Sequence, residues 1–228
     1  MYVLHYAPDN ASLIIRLALD ELRLPYRTAL VDRRVRAQDS PAYRALNPAG
    51  LIPTLETPDG PISETGAILV WLADRHGGGL FPAVDAPDRA RALKWLFFMA
   101  NTAHADLRQV FYPHLYVTDE GRAGHAALAR ARMIRSFGIL DQAAAAAPAL
   151  FDPPSILSIY VAAMMRWSQL YPPDDCDWFH PEDFPALGRL ATELEKRPCV
   201  TALCVAEGMT PRPFTRPAPP SPPEGAAL

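Results

Sequence analysis

Three stretches of the chain carry side chains whose types and spacing could do chemistry. Ser63-Glu64-Thr65 stands directly before an apolar run in which Ile68, Leu69 and Leu72 recur at helical spacing. A polar triplet in that place marks a helix N-terminus, whose unpaired N–H groups and positive dipole end accept carboxylates. Asn10 and Ser12 stand at the start of another helical pattern. They read there as an N-cap and a first-turn hydroxyl. Cys176 and His180 share an acidic loop. A zinc site would need a second pair at ligand spacing, and the sequence offers none, so no metal is expected.

The elements that must position these residues follow from the patterning. Residues 2–6 form a short apolar strand and 7–10 a turn. From Ser12, the residues Leu13, Ile14, Leu17, Ala18 and Leu22 trace one helix face, ending near 24–25. Residues 26–31 are a second strand, 33–40 a polar and mobile connection, and 41–46 a short helix. A Pro/Gly turn at 47–50 delivers a strand at 53–57. Pro58-Asp59-Gly60 turns the chain into a strand at 61–63, and a helix follows from Thr65. The order βαβ-α-ββα predicts an α/β thioredoxin-like domain over residues 1–76.

Gly77-Gly78-Gly79 and a Pro-containing stretch make 77–87 a linker. Strand signals then stop. Helical patterns at 88–112, 121–147, 155–170, 185–196 and 200–207 predict an all-α domain over 88–208, with the apolar 155–170 segment at its centre. Residues 209–228 are a Pro-rich tail that cannot fold alone: a disordered tail or a strap over the first domain, rather than a PxxP partner site.

Composition narrows the function classes. The chain has 228 residues, 50% hydrophobic and 21% charged, with a net charge of −3. That is an ordinary globular composition with no electrostatic footprint for nucleic acid or an anionic membrane. No signal peptide is expected, since the N-terminus has no basic region and Arg16 interrupts residues 13–19. No apolar run approaches the length of a membrane span. Cys176, Cys199 and Cys204 are odd in number, which reads as free thiols in a reducing cytoplasm.

The unit at 47–75 resembles the second half of the glutathione-binding domain of cytosolic glutathione S-transferases. Asn47, Pro48, Gly50, Ile52, Pro53, Leu55, Glu64, Thr65, Ala67, Ile68, Leu72 and Ala73 fall in register with that family's N-P-x-G-[KQ]-[VI]-P-x-L and E-[ST]-x-A-I-x-x-Y-L-A patterns. The resemblance covers about residues 1–207. It is strongest in the first domain and architectural in the second. It implies a cis bond before Pro53, with the Ile52 N–H and C=O facing out to pair with the cysteinyl backbone of glutathione. It further implies that Thr65 holds the γ-glutamyl carboxylate and Glu64 faces the γ-glutamyl amine. Leu51 departs from the family's Lys or Gln, which binds the glycyl end, and the loss of a charged partner there is worth ~1.5–3 kcal/mol.

The family activates the glutathione thiol at the start of its first helix. A free thiol has a pKa of ~8.5, so one hydrogen bond worth ~1.5–3 kcal/mol and a helix end worth ~0.3–1 kcal/mol can make the thiolate the majority species. The catalytic tyrosine, serine and cysteine of different classes align with His5, Asp9 and Ala11, and none matches. Cysteine chemistry is thereby disfavoured. Asp9 would oppose a thiolate by ~3 kcal/mol at about 5 Å, so it should point away or activity should be poor. Asn10 and Ser12 remain as catalytic candidates, while Tyr6 reads as a strand-end core residue.

His104 falls where beta-class relatives carry a site-lining histidine and joins Ile52, Pro53, Glu64 and Thr65 as a candidate binding residue. Arg108 could replace the missing cation, and Tyr112, Tyr116 and Trp167 could wall an apolar substrate pocket. Ser155 begins an [ST]-x-x-D capping motif whose Asp is replaced by Ser158, weakening the reciprocal half. The resemblance implies a homodimer in which glutathione thiolate attacks a small, fairly apolar electrophile. The rival implied reading is a non-catalytic binding or regulatory protein of the same fold.

Overall fold

The computed structural model describes residues 1–173 and 175–227, which form two compact units: 1–84 with 195–213 and 218–227, and 85–173 with 175–194 and 214–217. The first is a thioredoxin-like α/β unit. Its strands β1 (Tyr2–Tyr6), β2 (Tyr26–Leu30), β3 (Thr54–Thr57) and β4 (Gly60–Ser63) lie in the order β2-β1-β3-β4. β1 pairs with β2 in parallel, and β3 is antiparallel to both β1 and β4.

Helices α1 (Ser12–Glu21), α2 (Pro41–Leu46) and α3 (Thr65–His76) complete the pattern expected from the sequence. α1 is buried on every side, not on one face: Leu13, Ile14, Ile15, Leu17, Ala18 and Leu19 are all fully inaccessible. β1, α3 and a late helix all pack on it. At α2 the Ser40 hydroxyl accepts the Tyr43 N–H and Pro41 fills the first helical position, as capping chemistry favours. Residues 33–40, expected to be mobile, are two short 3-10 turns, Arg33–Val35 and Ala37–Asp39. Asp32 caps the first, and Asp39 binds Arg36 and Arg44.

The second unit is helical: α4 (Arg89–Phe98), α5 (His104–Phe111), α6 (Arg122–Ala146), α7 (Pro148–Phe151), α8 (Ile156–Ser168) and α9 (Pro185–Leu194). α8 is its centre, buried along its whole length. Its capping box is complete despite the replaced Asp. Ser155 accepts the Ser158 N–H, and the Ser158 hydroxyl accepts the Ser155 N–H in return. A hydroxyl does the reciprocal work of the carboxylate, so the expected weakening is corrected.

Two boundaries differ from expectation. The pattern at 88–112 is not one helix, because a π-helical turn, Met99–Ala103, divides α4 from α5. The last helix, α10 (Pro198–Glu207), belongs to the first unit, where it packs on α1. Residues 218–227 also belong there, as a strap and not as a free tail. No helix among the described residues is long and apolar enough to cross a membrane.

Candidate functional site

Sheet register brings three stretches of the first unit to one end: the turn before α1, the Ile52-Pro53 pair and Ser63-Glu64-Thr65. His5 pairs with Thr54, and Thr54 with Ser63. The end of β1, the start of β3 and the end of β4 therefore share one end of the sheet. The turn at 7–11, the Ile52-Pro53 pair and the start of α3 must all project from that end.

At β3, the Ile52–Pro53 peptide is cis and Pro53 is buried. The preceding loop is pinned: Asn47 Nδ2 and the Tyr43 hydroxyl each donate to the Leu51 carbonyl at 2.7 Å, and Asn47 Oδ1 accepts the Ala49 N–H. The Ile52 N–H and C=O make no hydrogen bond among the described residues, which leaves a short, fixed peptide edge open. Leu51 beside it is 43% exposed.

At α3, Thr65 is the first helical residue and is buried, while Glu64 is exposed. Glu64 has φ 69° and ψ 113°, a conformation sparsely populated by any residue with a Cβ. Its side chain does not cap the helix, so the first-turn N–H groups keep their capacity for an outside acceptor.

The turn at 7–11 divides its polar groups by direction. Ser12 is fully buried. Its hydroxyl donates to the Ala7 carbonyl at 3.0 Å and accepts the Ala7 N–H at 3.3 Å. Ser12 is therefore corrected from a thiol-contacting candidate to a brace of the turn: both functions of its hydroxyl are spent on one peptide unit. Asn10 differs. Its Oδ1 accepts the Ala11 N–H at 2.8 Å, which orients the carboxamide, while Nδ2 donates to no described residue. Asp9, with φ 50°, is 5% exposed and lies beside Glu207, so it does not face outward. Its N–H donates to Glu207 Oε2 at 2.8 Å. Glu207 also pairs with Arg16 at 3.1 Å. Complete burial pushes the Glu207 carboxyl up to about 7, against the pull of Arg16. Tyr6 is a core residue, as expected, and its hydroxyl donates to Glu224 at 2.5 Å. The holding groups Glu207 and Glu224 were missed in the sequence, where they stand some 200 residues from the turn.

His104 opens α5 in the second unit, directly after the π turn, a feature that often marks functional positions. Its Nδ1 meets the Tyr160 hydroxyl at 2.9 Å, and its ring lies 5.4 Å from that of Trp167. Burial, then the Arg108 charge, pulls its pKa down to about 4, so the imidazole is neutral at pH 7. Arg108 lies over the Tyr112 ring at 5.8 Å. Trp167 is buried against His104, while Tyr116 stacks on His125 and is 45% exposed. No group of three or more His, Cys, Asp or Glu among the described residues could hold a metal ion. Cys199, pushed up to about 12 by burial and Glu21, is an inert thiol.

Comparison with known proteins adds kinship to this geometry. The family model for the N-terminal domain of glutathione S-transferase matches residues 11–75. Glutathione S-transferase 1 of Schizosaccharomyces pombe is 38% identical over 89 residues, 37% of this chain and 39% of that protein. The disulfide-bond oxidoreductase YfcG of Escherichia coli is 36% identical over 108 residues, 44% of this chain and 49% of that one. The matched stretch thus spans less than half the length of these curated relatives. A solved glutathione S-transferase from a sphingomonad, complexed with glutathione, superposes with a TM-score of 0.73 at 28% identity, over 91% of this chain and 100% of that one.

Proposed function

We propose that this chain is a glutathione S-transferase-family protein that binds glutathione at the sheet end of its first unit and uses the bound thiolate as a nucleophile. The observation that carries the reading is the pairing, at one end of one sheet, of an open peptide edge at Ile52 with an uncapped helix N-terminus at Thr65. A γ-glutamyl peptide has the complementary groups: a backbone to pair with the edge and a carboxylate for the helix end. Glu64 supplies the negative charge for the α-amine. Asn10 Nδ2 is the donor for the sulfur. The thiolate forms a bond to an electrophilic carbon, and the leaving group departs with its electron pair or the adduct takes a proton from water. The electrophile is small and fairly apolar, and the assembly is a homodimer.

A specific observation favours the second reading, a binding or regulatory protein without turnover: Ser12 is committed to Ala7, which leaves a single carboxamide to stabilise the thiolate. Calorimetric titration with glutathione, on wild type and Glu64→Ala, tests the binding common to both. A dissociation constant between micromolar and ~1 mM, about −8 to −4 kcal/mol, that weakens at least tenfold in the variant is expected. Absence of binding at several millimolar would sink both. Binding with no turnover across a panel of haloarenes, epoxides and enones would select the second.

A further inference from the structure

The residues that hold the turn before α1 come from the far end of the chain. Gly208, with φ +64°, lets the strap approach: a Cβ there would stand 1.9 Å from the Ser221 carbonyl oxygen. The Ser221 N–H donates to the Gly208 carbonyl at 2.9 Å. Gly225, with φ +72°, lies where a Cβ would meet Leu30 Cδ1 at 2.8 Å and Pro8 Cδ at 3.3 Å. Between these two close approaches Glu224 takes the Tyr6 hydroxyl, and beyond Gly225 the Ala227 carbonyl accepts from Arg33 Nη1 at 2.9 Å. Glu207, the residue before Gly208, takes the Asp9 N–H. Tyr6, Ala7 and Asp9 are thus each held, by Glu224, Ser12 and Glu207, and Gly225 lies close to Pro8. Asn10 is the next residue, and its Nδ2 is uncommitted.

We infer that residues 218–227, together with Glu207, form a positioning strap that fixes the turn at 6–9 and thereby aims the Asn10 carboxamide. Glu207 and Glu224 act through Asp9 and Tyr6 and are positioning residues. The functional half of this inference rests on the glutathione reading above. The structural half does not. The polar contacts are reciprocal in purpose: one acidic group holds the turn from α10 and another holds it from the strap, and the fold supplies no other tie to Tyr6 Oη among the described residues.

Two full-length variants test it. Gly225→Val places a β-branched residue at a positive φ against Leu30. Tyr6→Phe removes one oxygen and leaves the ring under Arg16, whose guanidinium lies 4.9 Å from its centroid, so it keeps the test alive if the first variant fails to fold. The measurements are amide hydrogen exchange across residues 7–12, glutathione affinity, and the pKa of the bound thiol from thiolate ultraviolet absorption. Exchange in 7–12 is expected to quicken with α8 unchanged, affinity to fall about tenfold, and the bound-thiol pKa to rise by about one unit. Unchanged exchange in both variants would overturn the strap. Faster exchange with unaltered affinity and thiol pKa would overturn its role in aiming Asn10. If wild type does not bind glutathione, the glutathione reading falls, and the exchange measurement still decides whether the strap holds the turn.

Discussion

Asn10 and Ser12 stand two residues apart and are put to opposite uses. Asn10→Ala should raise the bound-thiol pKa by one to two units, since a hydrogen bond to a charged group is worth ~1.5–3 kcal/mol. Ser12→Ala should leave that pKa alone and lower stability by ~1–3 kcal/mol, because it orphans the buried Ala7 peptide groups. Thiolate absorption against pH, paired with urea denaturation, separates the two, and a pKa shift in Ser12→Ala would reverse the assignment. Glu64 belongs to the same scale. Its positive φ stores ~1–3 kcal/mol of strain. Glu64→Gly should therefore gain stability, on the order of 1 kcal/mol, while losing glutathione affinity. A variant that is both less stable and equally tight in binding would contradict this. The residues were legible unevenly. Ile52, Pro53, Glu64 and Thr65 were singled out by a pattern of many positions at fixed offsets. The choice between Asn10 and Ser12 was not legible, because spacing gives a residue's place on a turn but not the direction of its donor.

At the scale of elements, short-range chemistry was the readable part. The bounds of α2 follow from Ser40, Pro41 and the Asn47-Pro48 turn, all local signals. The π turn before His104 was invisible, since the apolar period of Leu93, Leu96, Phe97 and Ala100 runs on into Met99–Ala103. A one-residue insertion in a helix changes the hydrogen-bond ladder without disturbing the apolar count. The capping box of α8 shows the converse: a residue outside the usual pattern can satisfy the same groups. Ser158→Ala should cost about 1–2 kcal/mol by leaving the buried Ser155 N–H without its acceptor. Thermal and denaturant unfolding check this, and a stability within ~0.3 kcal/mol of wild type would show that the box is dispensable.

For the whole molecule, one buried carboxyl should be felt in the pH dependence of stability. The Glu207 pKa is about 7 in the fold against an ordinary value of 4.5. The native state therefore keeps a proton that the unfolded chain releases between those values. The stability this group contributes is full below about pH 4.5 and is lost as pH rises through 7, by up to ~3 kcal/mol. His104 works in the opposite sense: its pKa falls from 6.5 to about 4, so its contribution is present above 6.5 and is lost as pH falls through 4. The difference in unfolding free energy between wild type and Glu207→Gln, taken from pH 5 to pH 8, isolates the first effect. A flat difference would rule it out. The sequence expected the helical domain to run to 208, whereas residues 195–208 group with the first unit, because a helix's amphipathic pattern says that it packs and not on what.

The tie between the two ends of the chain also sets an order of assembly. Asp9 and Glu207 are 198 residues apart, and Tyr6 and Glu224 are 218 apart. At roughly 5–20 residues per second, the first strand and helix wait about 10–40 s of synthesis before the residues that brace their turn exist. A nascent chain can build the four-stranded sheet long before that and still lack a fixed Asn10. Ligand-binding competence on the ribosome should thus arrive as a late step, once Glu207 and Glu224 have been made, and not gradually with the growth of the sheet.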